Sequence, residues 1–379
     1  MAEWEKIRLG DVCRTNADTY SPKEKWDFVN YLDTGNIINN TIDSIQFIEL
    51  KNMKLPSRAK RKVKTDSIIY STVRPNQRHF GIIKSQPENF LVSTGFVVID
   101  VDTNVLNADF LYYLLTQNTL VDAFQAIAEQ STSAYPAIKP SDIENLEIKI
   151  PDLATQKKIS DILSSLDRKI AKNAEINKNL AKQVSSIYQA WFEDFSCFDG
   201  ICPQTWKQGV LADIASITSG KRPPMKSTDR TDEAMIPLVG AASVMGYTSE
   251  ANHTDKILVT GRVGTHGVVQ RFNTPCWTSD NTLVITSDLY EYTCQILQRI
   301  DYHALNRGST QPLITQGDMN KVAILLPDKD ILCEFEVLSG QLMSQYDANL
   351  QENSKLAELR DTLLPKLMSG ELDVSDIDL

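Results

Sequence analysis

A chain of 379 residues, 42% of them apolar, is long enough for two or three domains with real cores, and no run of about 18 apolar residues suits it to span a membrane. Six cysteines (Cys13, Cys197, Cys202, Cys276, Cys294, Cys333) without a CxxC pair point to a reduced, cytoplasmic protein, and the N-terminal MAEWEKIRLG lacks the apolar core of a signal peptide. The net charge of −10 argues at first sight against nucleic acid, but −8 of it sits in residues 327–379.

The chain repeats itself at offsets that differ between segments. Trp4 and Leu9-Gly10-Asp11-Val12 return as Trp206 and Leu211-Ala212-Asp213-Ile214, 202 residues later. Pro151 to Phe195 returns from Pro327 onward at an offset of 176, without a gap. The order is therefore variable module, long helix, variable module, long helix, and the expected domains are 1–150, 151–196, 197–326 and 327–379.

In the first module, residues 51–84 hold ten bases (Lys51, Lys54, Arg58, Lys60, Arg61, Lys62, Lys64, Arg74, Arg78, Lys84) against the single acid Asp66. Such a stripe is the footprint of phosphate contact, although charge runs also simply face water. The apolar runs Asp66–Ser71 and Gly95–Ile99 read as strands, a helical stretch follows around Phe110–Ala128, and Ser131-Thr132 leads through Asp142 to a strand ending at Pro151. Between the two strands lies Val73-Arg74-Pro75-Asn76-Gln77-Arg78-His79-Phe80-Gly81. Arg, Asn and Gln are the groups that pair with base edges, which makes Arg74, Asn76, Gln77, Arg78 and His79 candidate DNA contacts. A tight connection shaped only by its glycine is the alternative.

Residues 152–195 carry apolar groups at alternating steps of four and three (Ile159, Leu163, Leu166, Ile170, then Leu180, Val184, Ile187, Trp191), with Asn173 and Asn177 in the seam between them. Tyr188, Trp191 and Phe192 at the end of this segment suit contact with the chain's own module or with a partner subunit.

The second module repeats the scheme with strands at Asp255–Thr260 and Asn281–Ile285 and a helical stretch around Tyr290–Leu305. Its polar loops are Ser219-Gly220-Lys221-Arg222-Pro223-Pro224, Gly261-Arg262-Val263-Gly264-Thr265-His266-Gly267 and Asn306-Arg307-Gly308-Ser309-Thr310-Gln311. Lys221, Arg222, Arg262, Thr265, His266, Arg307, Ser309 and Gln311 are the candidate contacts there. The second seam reads Phe335, Ser339, Leu342, Tyr346, Asn349, Asn353, Leu356, Arg360, Leu363 and Leu367, so the paired asparagines recur. Packed antiparallel, the two helices bring these asparagines together at mid-length, and polar groups in an apolar seam fix register at a cost in stability. A helix of about 40 residues is roughly 60 Å long, which suits a spacer.

Catalytic motifs are absent. The glycines at 261, 264 and 267 do not have GxGxxG spacing, Ser219-Gly220-Lys221 is no phosphate-binding loop, and the acid Asp142 with Glu147-Ile148-Lys149 returns as Asp318 with Ala323-Ile324-Leu325, without the chemistry. His79, His253, His266 and His303 have no metal spacing. The sequence describes a reader without a catalytic site.

The arrangement resembles the specificity subunits of type I restriction–modification systems across essentially the whole chain. The resemblance is carried most specifically by Ile187-Tyr188-Gln189-Ala190-Trp191-Phe192-Glu193-Asp194-Phe195, by Leu359 to Leu372, by Ser219-Gly220-Lys221-Arg222-Pro223 and by Asp255 to Gly267. It implies an α+β protein in which two target-recognition domains with mainly antiparallel sheets are separated by two long antiparallel coiled-coil helices, as an internal pseudo-two-fold repeat. Each domain would read one half of a split, asymmetric site in double-stranded DNA. The helices would set the spacing and dock two methyltransferase subunits, with Asn173, Asn177, Tyr188, Trp191, Phe192, Asn349, Asn353, Leu364 and Leu367 as coiled-coil or partner residues, and restriction–translocation subunits would join. S-adenosylmethionine, ATP and Mg²⁺ are expected on those partners, with no cofactor, metal or catalytic residue in this chain. The competing reading is a coiled-coil scaffold with two protein-binding heads.

Overall fold

The structure is a computed structural model that describes residues 4–130, 135–307, 312–374 and 377. The chain forms two compact units, one of residues 1–172 with 352–379 and the other of residues 173–351.

In the first unit, Ile68–Ser71 and Phe96–Val101 are the central strands of a four-stranded antiparallel sheet, flanked by Phe80–Ile82 and Cys13–Thr15. Their apolar runs are continuous because both faces are covered, and side chains alternate between them. Ile68, Tyr70, Val97 and Ile99 face the helices Ala108–Leu115 and Asn118–Glu129 through Phe110, Leu111, Val121 and Phe124. Ile69, Phe96 and Val98 join Leu32, Ile37, Phe90 and Val92 on the other side. That second core is closed by a further four-stranded sheet in the order Gln46–Glu49, Phe28–Leu32, Phe90–Ser93, Ala59–Lys62, where only the Phe28–Leu32/Phe90–Ser93 pairing is parallel.

The second unit repeats this plan. Ser216–Ser219, Thr282–Thr286, Ile257–Gly261 and Gln270–Phe272 form the antiparallel sheet, and Val244–Thr248, Ile236–Val239 and Trp277–Thr278 the second one, again with a single parallel pair. Leu258, Leu283 and Ile285 face the helix Tyr290–Arg299, while Ile257, Val259 and Val284 face the opposite way. The register fixes how the strands of the two units correspond. Ile68 opposes Ile99 and Leu258 opposes Ile285, so Ile68 corresponds to Leu258, not to the Ile257 that a match of Asp66 with Asp255 gives. A one-residue slip reverses which side chains face the core, and burial decides it.

Two helices of 40 and 41 residues, Leu153–Phe192 and Lys329–Ser369, each contribute a stretch to both units. Within the first unit they run antiparallel: Arg360 bonds Asp167 at 2.7 Å, Lys169 pairs with Glu352 at 3.3 Å, and the Asn353 side chain donates to the Ile170 carbonyl at 3.2 Å. Within the second they do the same. There the Asn349 side chain donates to Asn177 Oδ1 at 2.8 Å, and Asn177 donates to the Tyr346 carbonyl at 3.0 Å. Asn173, Asn177 and Asn349 are buried. The seam asparagines expected to meet therefore do so at Asn177 and Asn349. Among the described residues no helix is long and apolar enough to cross a membrane, and no group of three or more His, Cys, Asp or Glu is placed to hold a metal ion.

Candidate nucleic-acid interface

The basic stretch of the first unit divides into engaged and free charges. Lys62 pairs with Glu24 at 2.6 Å and lies 3.8 Å from Asp18; Lys84 pairs with Asp66 at 2.6 Å and Asp109 at 2.7 Å. Lys51 reaches Asp27 at 3.8 Å and Lys64 reaches Asp100 at 3.7 Å. Acids distant in sequence thus neutralise four of the ten bases, which a count within residues 51–84 does not reveal. Lys54 and Lys60 are exposed and without a carboxylate partner among the described residues, and Arg58 lies within electrostatic reach of Asp33. Arg61 is half-buried on the strand Ala59–Lys62 with its Nε unbonded, and burial lowers its pKa. A cation with so few internal partners has most to gain from an external anion.

The loop following Ile68–Ser71 is built by its neighbours. The Arg74 amide donates to the Pro136 carbonyl at 3.0 Å, and its guanidinium lies 5.5 Å from the Tyr135 ring centre. The Asn76 amide donates to Gln125 Oε1 at 3.3 Å, and the Arg78 guanidinium to Asn118 Oδ1 at 2.7 Å, so the turn docks on the helix Asn118–Glu129. The side chains of Asn76 and Gln77 point into solvent. His79 differs: its Nδ1 lies 2.6 Å from the Ile37 carbonyl, so the ring braces the loop.

In the second unit the loops around Lys221 and Arg262 converge on Trp277–Thr282. The Lys221 amide donates to the Thr278 carbonyl at 2.9 Å, the Gly220 amide to the Thr282 carbonyl at 3.1 Å, and the Arg262 amide to the Asn281 carbonyl at 2.8 Å. The Trp277 indole donates to the Lys221 carbonyl at 2.8 Å and so fixes this loop, a role the sequence does not single out. Lys221, Arg222 and Arg262 have no carboxylate within ion-pair distance among the described residues, and Thr265 is exposed. Burial and the nearby Lys221 charge lower the pKa of His253. His266, like His79, holds a strand-end carbonyl, that of Gly261 at 3.2 Å. Arg307 is ion-paired with Asp318, whose carboxylate also accepts the Thr315 hydroxyl at 2.6 Å, so it is not the free basic group its loop suggested. Ser309 and Gln311 lie outside the described residues, as do Ser131 and Thr132.

The two loops are not paired arginine for arginine. The Ile138 amide donates to the Thr72 carbonyl and the Ile314 amide to the Arg262 carbonyl; the Arg74 amide donates to Pro136 and the Gly264 amide to Pro312. Arg262 therefore occupies the place of Thr72, and Arg74 that of Gly264. Both Arg74, at φ 48°, and Gly264, at φ 86°, are left-handed. The backbone turn is shared while its polar group moves by two positions, and Arg74 accepts a conformation that glycine adopts freely.

The helix-end residues fall within the units' own cores. Tyr188 and Phe192 are buried against Tyr292 and Phe335, with ring centres 4.9–6.0 Å apart, and Phe192 meets Trp206 at 5.7 Å. Trp191 packs on Phe335 at 6.1 Å. Leu367 is buried and Leu364 partly buried in the core of the first unit. Of the two surfaces these groups could meet, each finds the chain's own module.

The sequence model for the type I restriction modification DNA specificity domain matches residues 1–182 and 203–360. The HindI type I restriction enzyme specificity subunit of Haemophilus influenzae is 25% identical over 469 aligned positions, covering 98% of this chain and 100% of that protein. The MjaIX specificity subunit of Methanocaldococcus jannaschii is 27% identical over 308 positions, 71% of this chain and 70% of its own. The fold is similar to that of the S subunit of a type I restriction–modification system from M. genitalium, with a TM-score of 0.61 at 18% identity over 97% of this chain and 96% of that one. With matched segments that take in the first module and all but six residues of the second, the chain belongs to the type I restriction–modification DNA specificity family.

Proposed function

We infer that this specificity subunit reads a split, asymmetric sequence in double-stranded DNA, one half through each globular module. The observation that carries the reading is the family match across both modules, joined to loops that present free cations and amides at Asn76, Gln77, Lys221, Arg222 and Arg262. Lys54, Lys60 and Arg61 serve as phosphate contacts, which position a protein on the duplex, and the loop groups face base edges, which carry sequence. Because the modules differ at corresponding places, Arg262 against Thr72 and Arg74 against Gly264, the half-sites differ as well.

The two long helices form an antiparallel coiled coil that sets the distance between half-sites and docks two methyltransferase subunits, to which restriction–translocation subunits add in a cytoplasmic complex. The seam residues Asn173, Asn177, Asn349 and Asn353 hold its register. The chain itself is non-catalytic, and S-adenosylmethionine, ATP and Mg²⁺ belong to the partners. Its acidity concentrates in residues 327–379, so the isolated subunit binds DNA weakly and gains affinity in the complex.

Adenine-methylation mapping of genomic DNA, from cells carrying the neighbouring methyltransferase with and without this gene, tests the reading. A split motif that depends on the gene is expected. An active methyltransferase with no gene-dependent motif would overturn it in favour of a scaffold with two protein-binding heads.

A further inference from the structure

One connection sets the two modules apart. Between the strands Phe28–Leu32 and Gln46–Glu49 of the first unit lie the thirteen residues Asp33–Ile45, whereas Ile236–Val239 and Val244–Thr248 of the second are joined by the four residues Gly240–Ser243. The extra length folds into a hairpin, Ile37–Ile38 against Thr41–Ile42, turned by Asn39 and Asn40. Both asparagines are left-handed, at φ 46° and 63°, as a two-residue hairpin turn of this hand requires.

This hairpin is seated on the recognition loop. The Asn39 amide donates to the Arg78 carbonyl at 3.0 Å and the Asn40 amide to the Phe80 carbonyl at 2.9 Å; His79 holds the Ile37 carbonyl. The Asn40 side chain accepts the Ile82 amide at 2.9 Å. A Cβ on Gly81 would come within 2.7 Å of both Asn40 Oδ1 and Ile37 Cδ1, so any larger residue there would push these side chains of the hairpin aside. One asparagine of the turn is thus spent on structure. The other is not: Asn39 is exposed, and its carboxamide has no hydrogen-bond partner among the described residues. Beside it stands Ile38, 53% exposed.

We propose that Asn39, carried by this hairpin, reads a base edge in the half-site taken by the first module; the proposal rests on the DNA-reading function inferred above. Asparagine is a common left-handed turn residue, so the turn accounts for its backbone but leaves its exposed carboxamide unengaged. Asparagine offers a donor and an acceptor side by side, the pair that matches N6 and N7 of adenine, and the exposed Ile38 suits an adjacent thymine methyl. The second module, with its four-residue connection, has no such group to offer, which makes the added contact a property of one half-site.

The test is methylation mapping with the full chain and its methyltransferase, comparing Asn39→Gly and Asn39→Asp with the parent. Glycine keeps the left-handed turn, and aspartate keeps size and acceptor while removing the donor. The expected result is a loss of discrimination of about tenfold or more at one or two positions of one half-site, with the other half and the spacing unchanged. An unchanged motif for both variants, or an even loss across all positions, would overturn the proposal while the DNA-reading function stands. A parent chain that yields no split motif would sink both.

Discussion

The two units hold the ends of the same repeated helix in different ways. In the second, Tyr188, Trp191 and Phe192 meet Phe335, Tyr292 and Trp206 in an aromatic cluster. The corresponding residues of the first unit, 176 positions on, are the aliphatic Leu364, Leu367 and Met368, which pack into the core that holds Ile159 and Leu163. The polar supports differ too. Gln156 in the first unit accepts the Asn107 amide at 2.8 Å and donates to the Val105 and Pro151 carbonyls, where the second unit has the buried Leu332. The repeat conserves register and burial while leaving the chemistry of each contact free, so the modules diverge without disturbing the helices they share.

The largest test of this comparison is Phe192→Ala, which empties the centre of the aromatic cluster. A loss of about 3–5 kcal/mol in denaturant unfolding is expected, as for other buried aromatics. A loss below about 1 kcal/mol would mean that the cluster is no core and would return these aromatics to a partner-binding role.

Arg262→Ala sharpens the comparison at the DNA face. It should relax one or two bases of one half-site by about tenfold to a hundredfold. Thr72, at the corresponding place, bonds the Gly95 carbonyl at 3.0 Å, and Thr72→Ala should leave the other half-site's motif unchanged. Uniform weakening in the Arg262 variant would instead make it a phosphate contact. A gentler probe separates free from engaged charges: Lys60→Ala should lower the salt dependence of DNA binding by the complex by about one ion, whereas Lys62→Ala, already paired with Glu24, should not. Equal slopes for the two variants would erase the distinction.

Much of this was legible in the sequence. Ile68–Tyr70 and Phe96–Ile99 read as buried strands because both faces are apolar, and the seam asparagines announced a contact that Asn177 and Asn349 make. What escaped depends on pairings that one strand of text does not contain. Asp18, Glu24, Asp27 and Asp109 come from elsewhere to meet the lysines of residues 51–84. The correspondence of Arg74 with Gly264 follows from hydrogen bonds to Pro136 and Pro312, not from shared letters. Asn39-Asn40 gives no hairpin signal in the sequence because its flanks, two residues each, are too short to show alternation.

The smallest predicted effect lies at Glu336, whose carboxylate accepts the amides of Glu291 at 3.1 Å and Tyr292 at 2.7 Å at the start of the helix Tyr290–Arg299. Its counterpart in the first unit is Ser160, which does not titrate. Burial raises the Glu336 pKa; the two amide bonds and Arg271 oppose this, while the charge on Glu291 adds to it. A carboxyl that holds its proton more tightly folded than unfolded favours the folded state fully below the ordinary glutamate range, and that advantage fades as pH rises through the folded value. Glu336→Gln keeps an acceptor for the helix amides and removes the buried charge. The variant should therefore melt above the parent at pH 7, and the gap should shrink as pH falls toward the ordinary glutamate range. Were the gap constant or widening on acidification, the ionised carboxylate would be the stabilising form, with its amide bonds outweighing burial. In the first unit, Ser160→Ala should show no pH-dependent gap at all, because nothing at that position gains or loses a proton.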